Sequence, residues 1–462
     1  MTRPLIIIFG ATGDLTKRKI IPAIYKLTKE NKLKHYAVVG VAHSDSNAAQ
    51  ILSSAKEFNG KVSRSIWTRL ANRFYYFKLD FYSKQDYAKL QGQLASIEKK
   101  HHLSGNRVFY LATLPQDFDV ITKNLANNHI ADETQKRWCR LVYEKPFGKD
   151  LKSAKKMNQD INRVFKEKQV YRIDHYLGKE IVGNIAVMRF TNRILEPLWR
   201  REHIESVQIN LTENIGMEGR RGRFYDSYGT LKDVVQNHVL QLLALTAMET
   251  PKMLVGEYIR TQKARLLKKV YVEEVLVGQY EGYRKEWGVN PQSMVETFAI
   301  LKVKINTPRW KGVPFYIKVG KALDKKDTSI HLNFRHINCI LTRNCPTDTN
   351  YFSIRIQPNE GFSVELNSKV PGRKYDILPV KMDFSQQIAF GPNTPEAYEI
   401  LLEDILKGDP SVFVRNDEIE YAWKIIDKVE KMKGKLYFYK PGSKGPDKLM
   451  EFNKKHEIRW RA

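Results

Sequence analysis

Four side chains that can do chemistry lie within one short stretch of the chain: Asp174, His175, Tyr176 and Lys179. Tyr176 and Lys179 are three residues apart, so they share a face if the segment is helical. A lysine, a histidine and a tyrosine that converge on one point would bind a phosphate monoester through charge-assisted hydrogen bonds. The alternative is that the aspartate only caps the start of a polar helix. The stretch therefore predicts either a phosphate-binding site or an ordinary helix start.

A second candidate site begins at the first strand of the chain. Residues 4–9 are apolar almost without interruption, which is typical of a buried parallel strand. Gly10 and Gly13 come next, followed by a helical pattern that continues to residue 27. A strand, a glycine turn and a helix form the setting in which a helix N-terminus binds a dinucleotide pyrophosphate. Because the spacing is GxxGDL rather than GxGxxG, the general fingerprint is matched only in part.

The periodicity of the chain changes near residue 205. Apolar and polar residues alternate in six later segments, which indicates an antiparallel sheet with one covered face. These segments are 206–211, 298–305, 315–319, 330–334, 352–356 and 362–366. We therefore predict an α/β N-terminal domain, Rossmann-like and doubly wound, over residues 1–172. An α+β C-terminal domain with a large antiparallel sheet is predicted over residues 173–462.

Residues 229–248, between two of these segments, have the apolar stripe of a helix. His238 lies on this helix. Asp233 and Asn237 share a turn of it, and Asn237 directly precedes the histidine. A single histidine on a helix is more often structural than catalytic. Its intrinsic pKa near neutrality nevertheless suits it to general-base chemistry, and an aspartate partner would orient it.

The composition limits the classes of protein that fit. A length of 462 residues predicts two or three domains, and 42% hydrophobic residues can fill their cores. The 78 lysines and arginines against 51 acidic residues give a net charge of +27, but the basic residues are scattered and acids accompany them. We expect a surface that attracts anionic small molecules, and no nucleic-acid partner.

Cysteine usage and hydropathy indicate the cellular compartment of the protein. Cys139, Cys339 and Cys345 are sparse and odd in number, which argues against a disulfide framework. The spacing of the last two from His331 and His336 fits no standard zinc site, so no metal is predicted. No apolar run reaches the ~20 residues that a membrane helix needs. The N-terminus runs into a strand without signal-peptide features, so we expect a cytoplasmic protein without a membrane partner.

Several stretches together resemble the glucose-6-phosphate dehydrogenase family, in the order that this family has them. They are GATGDL at 10–15, EKPFG at 144–148, RIDHYLGKE at 172–180, QNHVLQ at 236–241 and WKGVPFYIKVGKAL at 310–323. The resemblance extends over nearly the whole chain. It implies a nicotinamide-dependent oxidoreductase that converts glucose 6-phosphate to 6-phosphogluconolactone in the pentose phosphate pathway.

The resemblance also implies roles for particular residues. His238 would be the catalytic base and Asp174 its orienting carboxylate. The residues implied in substrate binding are Lys145, His175, Tyr176, Lys179 and Lys326 for the phosphate, and Glu213, Asp233 and Lys321 for the sugar. Those implied in cofactor binding are Gly10, Thr12, Gly13, Asp14, Leu15, Lys19, His43, Ser44 and Lys145. The family further implies a cis peptide bond before Pro146 and a homodimer or homotetramer whose dimer contact uses the C-terminal sheet.

The choice between NADP and NAD depends on the residues after the second predicted strand, 36–41. An acidic residue there binds the ribose hydroxyl of NAD, whereas an arginine binds the 2′-phosphate of NADP. The family usually has Ala-Arg-Ser or Ala-Arg-Thr, but this chain has His43 in place of the arginine and keeps Ser44. An unperturbed histidine is mostly neutral near pH 7. We therefore expect NADP with NAD as an alternative cofactor, unless a basic residue elsewhere compensates.

Two other functions are compatible with the same motifs. The chain could be a paralogue that oxidises a different aldose phosphate, such as a 2-amino sugar. It could also be a basic binding protein that has lost its activity, although every expected catalytic residue is present. Reduction of each nicotinamide cofactor by glucose 6-phosphate would distinguish the three functions.

Overall fold

The computed structural model describes residues 3–217, 219, 221–336, 350–373, 376–391 and 395–461. Cys339 and Cys345 lie outside these residues, so the prediction about a zinc site stays a prediction. The chain forms two compact units, each built from three separate segments. The first unit comprises Met1–Lys179, Val255–Arg260 and Pro395–Glu420, and the second comprises Glu180–Leu254, Thr261–Thr394 and Tyr421–Ala462.

The elements of the described residues are numbered along the chain. The strands are β1 Pro4–Phe9, β2 Ala37–Ala42, β3 Phe74–Lys78, β4 Asn106–Leu111, β5 Cys139–Tyr143, β6 Val170–Arg172, β7 Ile204–Thr212, β8 Val270–Tyr280, β9 Phe298–Ile305, β10 Phe315–Gly320, β11 Asp327–Phe334, β12 Tyr351–Gln357, β13 Gly361–Lys369, β14 Ile377–Ser385 and β15 Leu436–Tyr439.

The α-helices are α1 Ile21–Lys29, α2 Ala48–Lys56, α3 Arg64–Ala71, α4 Lys84–Lys100, α5 Phe118–Asn127, α6 Leu151–Asn162, α7 Glu180–Thr191, α8 Gly222–Asp226, α9 Leu240–Ala247, α10 Gly256–Leu267, α11 Gln386–Phe390, α12 Ala397–Lys407, α13 Asn416–Met432 and α14 Lys448–Lys455. Two π-helical segments, Thr16–Ile20 and Leu231–Val239, directly precede α1 and α9. Short 3₁₀ turns lie at Glu57–Asn59, Pro115–Asp117, Glu167–Gln169, Glu196–Leu198 and Tyr283–Lys285.

The first unit contains a six-stranded sheet in the order β3-β2-β1-β4-β5-β6, and every neighbouring pair is parallel. This order is that of doubly wound dinucleotide-binding domains. Residues 5–9 of β1 are fully buried, as expected for a parallel sheet that is covered on both faces. The predicted Rossmann-like fold is confirmed, and the first strand has the predicted bounds.

A helix from the last quarter of the sequence belongs to this first unit. Leu401 and Ile405 of α12 are buried in the same cluster as Ile6 of the central strand. Lys26 of α1 also forms an ion pair with the buried Glu399 of α12 at 2.6 Å. Burial of a leucine or isoleucine side chain stabilises a fold by about 1.5–3 kcal/mol. The apolar face of α12 therefore accounts for the return of the chain to the first unit.

The second unit contains a nine-stranded sheet in the order β14-β13-β12-β11-β7-β10-β9-β8-β15. Six neighbouring pairs are antiparallel, whereas β7 with β10 and β8 with β15 are parallel. The predicted α+β fold with a large, mainly antiparallel sheet is confirmed. The two parallel pairs were not predicted, because alternation along one strand does not report the direction of its neighbour.

The alternation predicted one exposed face for this sheet, but β7 is buried on both faces over residues 207–212. Gln208 shows why a polar position can be buried. Its side-chain amide donates to the carbonyl oxygen of Arg459 at 2.8 Å and accepts the N–H of Arg461 at 3.0 Å. The C-terminal segment thus covers β7 while it satisfies the hydrogen bonds of the glutamine.

A buried cation closes the C-terminal end of α9. Arg189 is fully buried, and its Nη1 donates to the carbonyl oxygens of Thr246 at 3.0 Å and Met248 at 2.7 Å. Its Nε pairs with Glu196 at 2.9 Å. The indole N–H of Trp199 donates to the same Thr246 carbonyl at 2.8 Å. Because the last carbonyls of a helix have no intrahelical partners, these donors fix the end of α9.

Replacing Arg189 with methionine should destabilise the second unit by about 3–5 kcal/mol, since a carboxylate and two carbonyls lose a buried donor. Urea denaturation followed by tryptophan fluorescence measures the free energy of unfolding. Arg163→Met is the control, because Arg163 is exposed and its pair with Asp160 is worth at most about 1 kcal/mol. Equal, small losses for both variants would contradict this role of Arg189.

Candidate active site

The turn after β1 requires glycine at its first position. Gly10 has a φ of +87°, and a Cβ atom there would lie 2.3 Å from the carbonyl oxygen of Ala112. The N–H of Gly10 donates to the carbonyl of Val41 at 2.8 Å, and the hydroxyl of Thr16 donates to the carbonyl of Gly10 at 3.0 Å. Gly13, Asp14 and Leu15 lead from the turn into the helical segment. A tight turn followed by a helix N-terminus fits a dinucleotide pyrophosphate.

The other predicted cofactor residues lie around this turn in the first unit. Thr12 Oγ1 and Ser44 Oγ are 3.1 Å apart, so a hydrogen bond joins the glycine turn to the loop after β2. His43 is exposed in that loop. Lys19 is exposed and pairs with Glu396 at 3.0 Å. The structure therefore brings Thr12, His43 and Ser44 to the end of β2, whereas Lys19 forms an ion pair at the surface.

The loop after β5 contains a carboxyl group that two tyrosines bind. The hydroxyls of Tyr110 and Tyr398 donate to Glu144 Oε1 at 2.6 and 3.2 Å. Burial raises the pKa of Glu144 to about 7, although these hydrogen bonds and the neighbouring Lys145 ammonium act in the opposite direction. The peptide bond between Lys145 and Pro146 is cis, as the resemblance implied.

The stretch from Asp174 to Lys179 forms a turn after β6, and α7 begins only at Glu180. Asp174 Oδ1 accepts the N–H of Tyr176 at 3.0 Å, so the aspartate closes the turn. The rings of His175 and Tyr176 are 5.0 Å apart, and Lys179 Nζ is 5.8 Å from the centre of the Tyr176 ring. The histidine, the tyrosine and the lysine are therefore gathered at one place, as a phosphate site requires.

Three of these loops lie at the carboxyl ends of strands in the first sheet. The glycine turn follows β1, the Lys145 loop follows β5, and the Asp174 turn follows β6. Because all six strands are parallel, these loops lie at the same edge. The carboxyl edge of an open parallel sheet is where ligands bind in such folds.

In the second unit, the predicted helix 229–248 is not regular where His238 lies. The segment Leu231–Val239 is π-helical, and π geometry pairs residue i with i+5, the separation between Asp233 and His238. Both side chains are buried. Asn237 closes the widened turn, since its amide donates to the carbonyl of Asp233 at 2.9 Å and accepts the N–H of His238 at 2.6 Å. π segments are frequent at functional sites.

Glu213 and Lys321 directly follow the parallel neighbours β7 and β10, and their side chains form an ion pair. The N–H of Glu213 also donates to the carbonyl of Gly320 at 2.9 Å. Lys321 Nζ lies 5.5 Å from the centre of the Tyr225 ring. Lys326 is exposed in the loop before β11. The structure thus joins two of the predicted sugar-binding residues and leaves Lys326 at the surface.

The first unit has a turn for a dinucleotide and a cationic turn for a phosphate, and the second has a buried histidine and a carboxylate–ammonium pair. A Rossmann-like sheet that binds a nicotinamide dinucleotide, together with a candidate general base, defines an oxidoreductase of the dehydrogenase class.

Comparison with known families is consistent with this class. The model "Glucose-6-phosphate dehydrogenase, NAD binding domain" matches residues 7–184, and "Glucose-6-phosphate dehydrogenase, C-terminal domain" matches residues 186–461. The chain belongs to the glucose-6-phosphate dehydrogenase family.

Individual relatives show the same similarity over full length. A glucose-6-phosphate 1-dehydrogenase of Chlamydia muridarum is 39% identical, with 99% of this chain and 96% of the relative covered. One of Bacillus subtilis is 38% identical, with 99% and 98% covered. A solved structure of a glucose-6-phosphate dehydrogenase in complex with its substrate glucose 6-phosphate has a TM-score of 0.93 and 33% identity, and covers 100% of this chain and 99% of the other.

None of the helices in the described residues combines the length and the apolar character that a membrane crossing requires.

Sequence reasoning missed two groups that support the site residues. The sequence motifs gave Tyr398 no role, because its hydrogen bond to Glu144 spans 254 residues of the chain. Asn237 was noted only for sharing a turn with Asp233, because an apolar stripe does not distinguish a π segment from an α-helix. An asparagine directly before a helical histidine was the available signal, since its side chain competes for backbone hydrogen bonds.

The pKa of Glu144 predicts a pH dependence of stability. In the unfolded chain a glutamate titrates near ~4.3, so between that pH and about 7 the folded state holds a proton that the unfolded state lacks. The contribution is therefore complete below the unfolded pKa and is lost as the pH rises to about 7. Relative to Glu144→Gln, the wild-type protein should lose on the order of 2–3 kcal/mol of stability between pH 5 and 8.

Urea denaturation of both proteins at pH 5, 6, 7 and 8 measures this difference. Glu281→Gln, at an exposed glutamate, is the control and should show a constant difference from the wild-type protein. A constant difference for Glu144→Gln as well would contradict the raised pKa.

Proposed function

We propose that the protein oxidises glucose 6-phosphate at its anomeric carbon to 6-phosphogluconolactone, the first step of the pentose phosphate pathway. One observation carries the proposal: a dinucleotide turn and a His–Tyr–Lys turn lie at the same edge of one parallel sheet. Membership of the family supports the same substrate. Reduction of NADP or NAD on addition of glucose 6-phosphate tests it, and no reduction of either cofactor would refute it.

In the proposed reaction, His238 takes the proton from the hydroxyl group on C1. Asp174 orients the imidazole and stabilises its cation, as carboxylates do for catalytic histidines. When bound, a nicotinamide cofactor accepts the hydride that leaves C1. The burial of His238 on a π segment supports its role, because a fixed, desolvated imidazole has a defined orientation toward substrate.

The substrate is held at both ends. His175, Tyr176 and Lys179 bind the phosphate, since they lie in one turn and offer donors to its oxygens. Further positive charge for the phosphate comes from the residues Lys145 and Lys326. The sugar hydroxyls contact Asp233, Glu213 and Lys321, which together provide acceptors and a donor.

The cofactor occupies the glycine turn and the loop after β2. Gly10 and Gly13 let the backbone approach the pyrophosphate, and the helix start at Asp14 and Leu15 supplies N–H groups. The ribose end lies near Thr12, His43 and Ser44, with Lys19 and Lys145 contributing charge. NADP is the expected cofactor, and NAD is the alternative because the family arginine is replaced by His43.

We also propose that the protein is a cytoplasmic homodimer or homotetramer. The outer strand β14 supports self-association, because Leu378, Val380 and Met382 are exposed apolar residues on it. Exposed apolar surface of this kind is typical of protein–protein contacts. Sedimentation of the purified chain would show a monomer if this proposal were wrong.

The proposed base predicts the kinetics of His238→Asn. The variant should lose about 10²–10⁴-fold in kcat, the usual contribution of a general base, while the KM for glucose 6-phosphate changes little. Steady-state kinetics measures both constants. His129→Asn is the control, since His129 is an exposed histidine that pairs with Asp132. A loss of less than tenfold in kcat would exclude His238 as the base.

The proposed phosphate turn predicts a selective effect of Lys179→Ala. Loss of one charge-assisted hydrogen bond should raise the KM for glucose 6-phosphate by about 10–100-fold, whereas any rate measured with free glucose should not change. Lys152→Ala, at an exposed lysine of α6, should behave like the wild-type protein on both substrates. Equal losses on glucose and glucose 6-phosphate would show that Lys179 does not bind the phosphate.

A further inference from the structure

The carboxyl ends of β2 and β3 lie side by side, with Ala42 directly opposite Lys78 in the parallel register. The loop after β2 continues through His43 and Ser44 to Asp45. In dinucleotide-binding sheets, residues after this second strand distinguish a ribose 2′-hydroxyl from a 2′-phosphate. A cation at the end of β3 is therefore next to the position where the two nicotinamide cofactors differ.

Two sets of hydrogen bonds fix the loop after β2. The hydroxyl of Tyr76 donates to the carbonyl oxygens of Ser44 at 2.5 Å and Ala42 at 3.2 Å. On the other side, the hydroxyls of Thr12 and Ser44 are joined at 3.1 Å. The loop is thus tied both to β3 and to the glycine turn that suits the pyrophosphate. If a dinucleotide binds at the glycine turn, its ribose would therefore lie beside the side chains of this loop and of the end of β3.

The loop after β2 and the end of β3 carry an acidic and a basic side chain that contact each other. Lys78 Nζ lies 2.6 Å from Asp45 Oδ1, and the two side chains are 56% and 90% exposed. Exposed ion pairs contribute little to stability, so a ligand can take the place of either partner at low cost. The ammonium offers donors to a phosphate, whereas the carboxylate offers an acceptor to a hydroxyl and repels a phosphate.

We propose that Lys78 is the residue that selects NADP by binding its 2′-phosphate, and that Asp45 opposes this selection and allows NAD to bind through its 2′-hydroxyl. Lys78 thereby takes the role of the arginine that the family usually has at the position of His43. The opposed charges give the protein a measurable preference for NADP without exclusion of NAD. This inference rests on the proposed function, since it concerns the cofactor of that reaction.

Binding of nucleotide fragments tests the inference without turnover. Isothermal titration calorimetry of the full chain with adenosine 2′,5′-bisphosphate and with adenosine 5′-monophosphate measures the contribution of the 2′-phosphate alone. The wild-type protein should bind the bisphosphate more tightly. Lys78→Ala should lose about 10–100-fold in affinity for the bisphosphate, and its affinity for the monophosphate should stay within about twofold of the wild-type value.

Two further variants complete the test. Asp45→Asn should bind the bisphosphate several-fold more tightly and the monophosphate no more tightly than the wild-type protein. Lys123→Ala is the matched control, because Lys123 also forms an exposed pair at 2.6 Å, with Asp119 on α5. It should bind both fragments as the wild-type protein does.

The inference is overturned if the wild-type protein binds both fragments equally or if Lys78→Ala loses equal affinity, or none, for the two. Kinetics with glucose 6-phosphate provide a separate readout: the ratio of kcat/KM for NADP to that for NAD should fall in Lys78→Ala by the same factor. Selective fragment binding without any glucose 6-phosphate oxidation would refute the proposed function and leave the nucleotide selection by Lys78 intact.

Discussion

The candidate site residues of the first unit lie at the carboxyl edge of its parallel sheet. Residues 5–9 of the central strand β1 are apolar and fully buried, so a charged group on that strand would carry a large desolvation cost. The polar residues therefore lie in the loops that follow β1, β2, β5 and β6. The glycine turn, the loop after β2, Lys145 and the turn from Asp174 to Lys179 therefore all lie at one edge.

Much of this arrangement could be predicted from the sequence, because local patterns determine it. The apolar run 4–9 followed by Gly10 predicts a strand and a turn, and the structure has both. The contribution of α12 could not be predicted, since its apolar face has no local partner. Yet α12 supports two loops: Tyr398 binds Glu144, and a Cβ atom at Gly178 would lie 2.8 Å from the carbonyl of Ala397.

The segment that carries His238 shows a second limit of sequence patterns. The apolar stripe over residues 229–248 predicts a helix, and a helix is present, but the stripe contains no information on a widened turn. Within that turn Asn237 hydrogen-bonds the backbone of both Asp233 and His238, and the apolar stripe does not encode these contacts.

In the proposed reaction, a hydride leaves C1 of a bound sugar phosphate. Glucose 6-phosphate deuterated at C1, incubated with the protein and NADP or NAD, tests this claim most directly by NMR of both products. The deuterium should move to C4 of the nicotinamide ring and be absent from the lactone. Deuterium retained on C1 of the product, or lost to water, would contradict it.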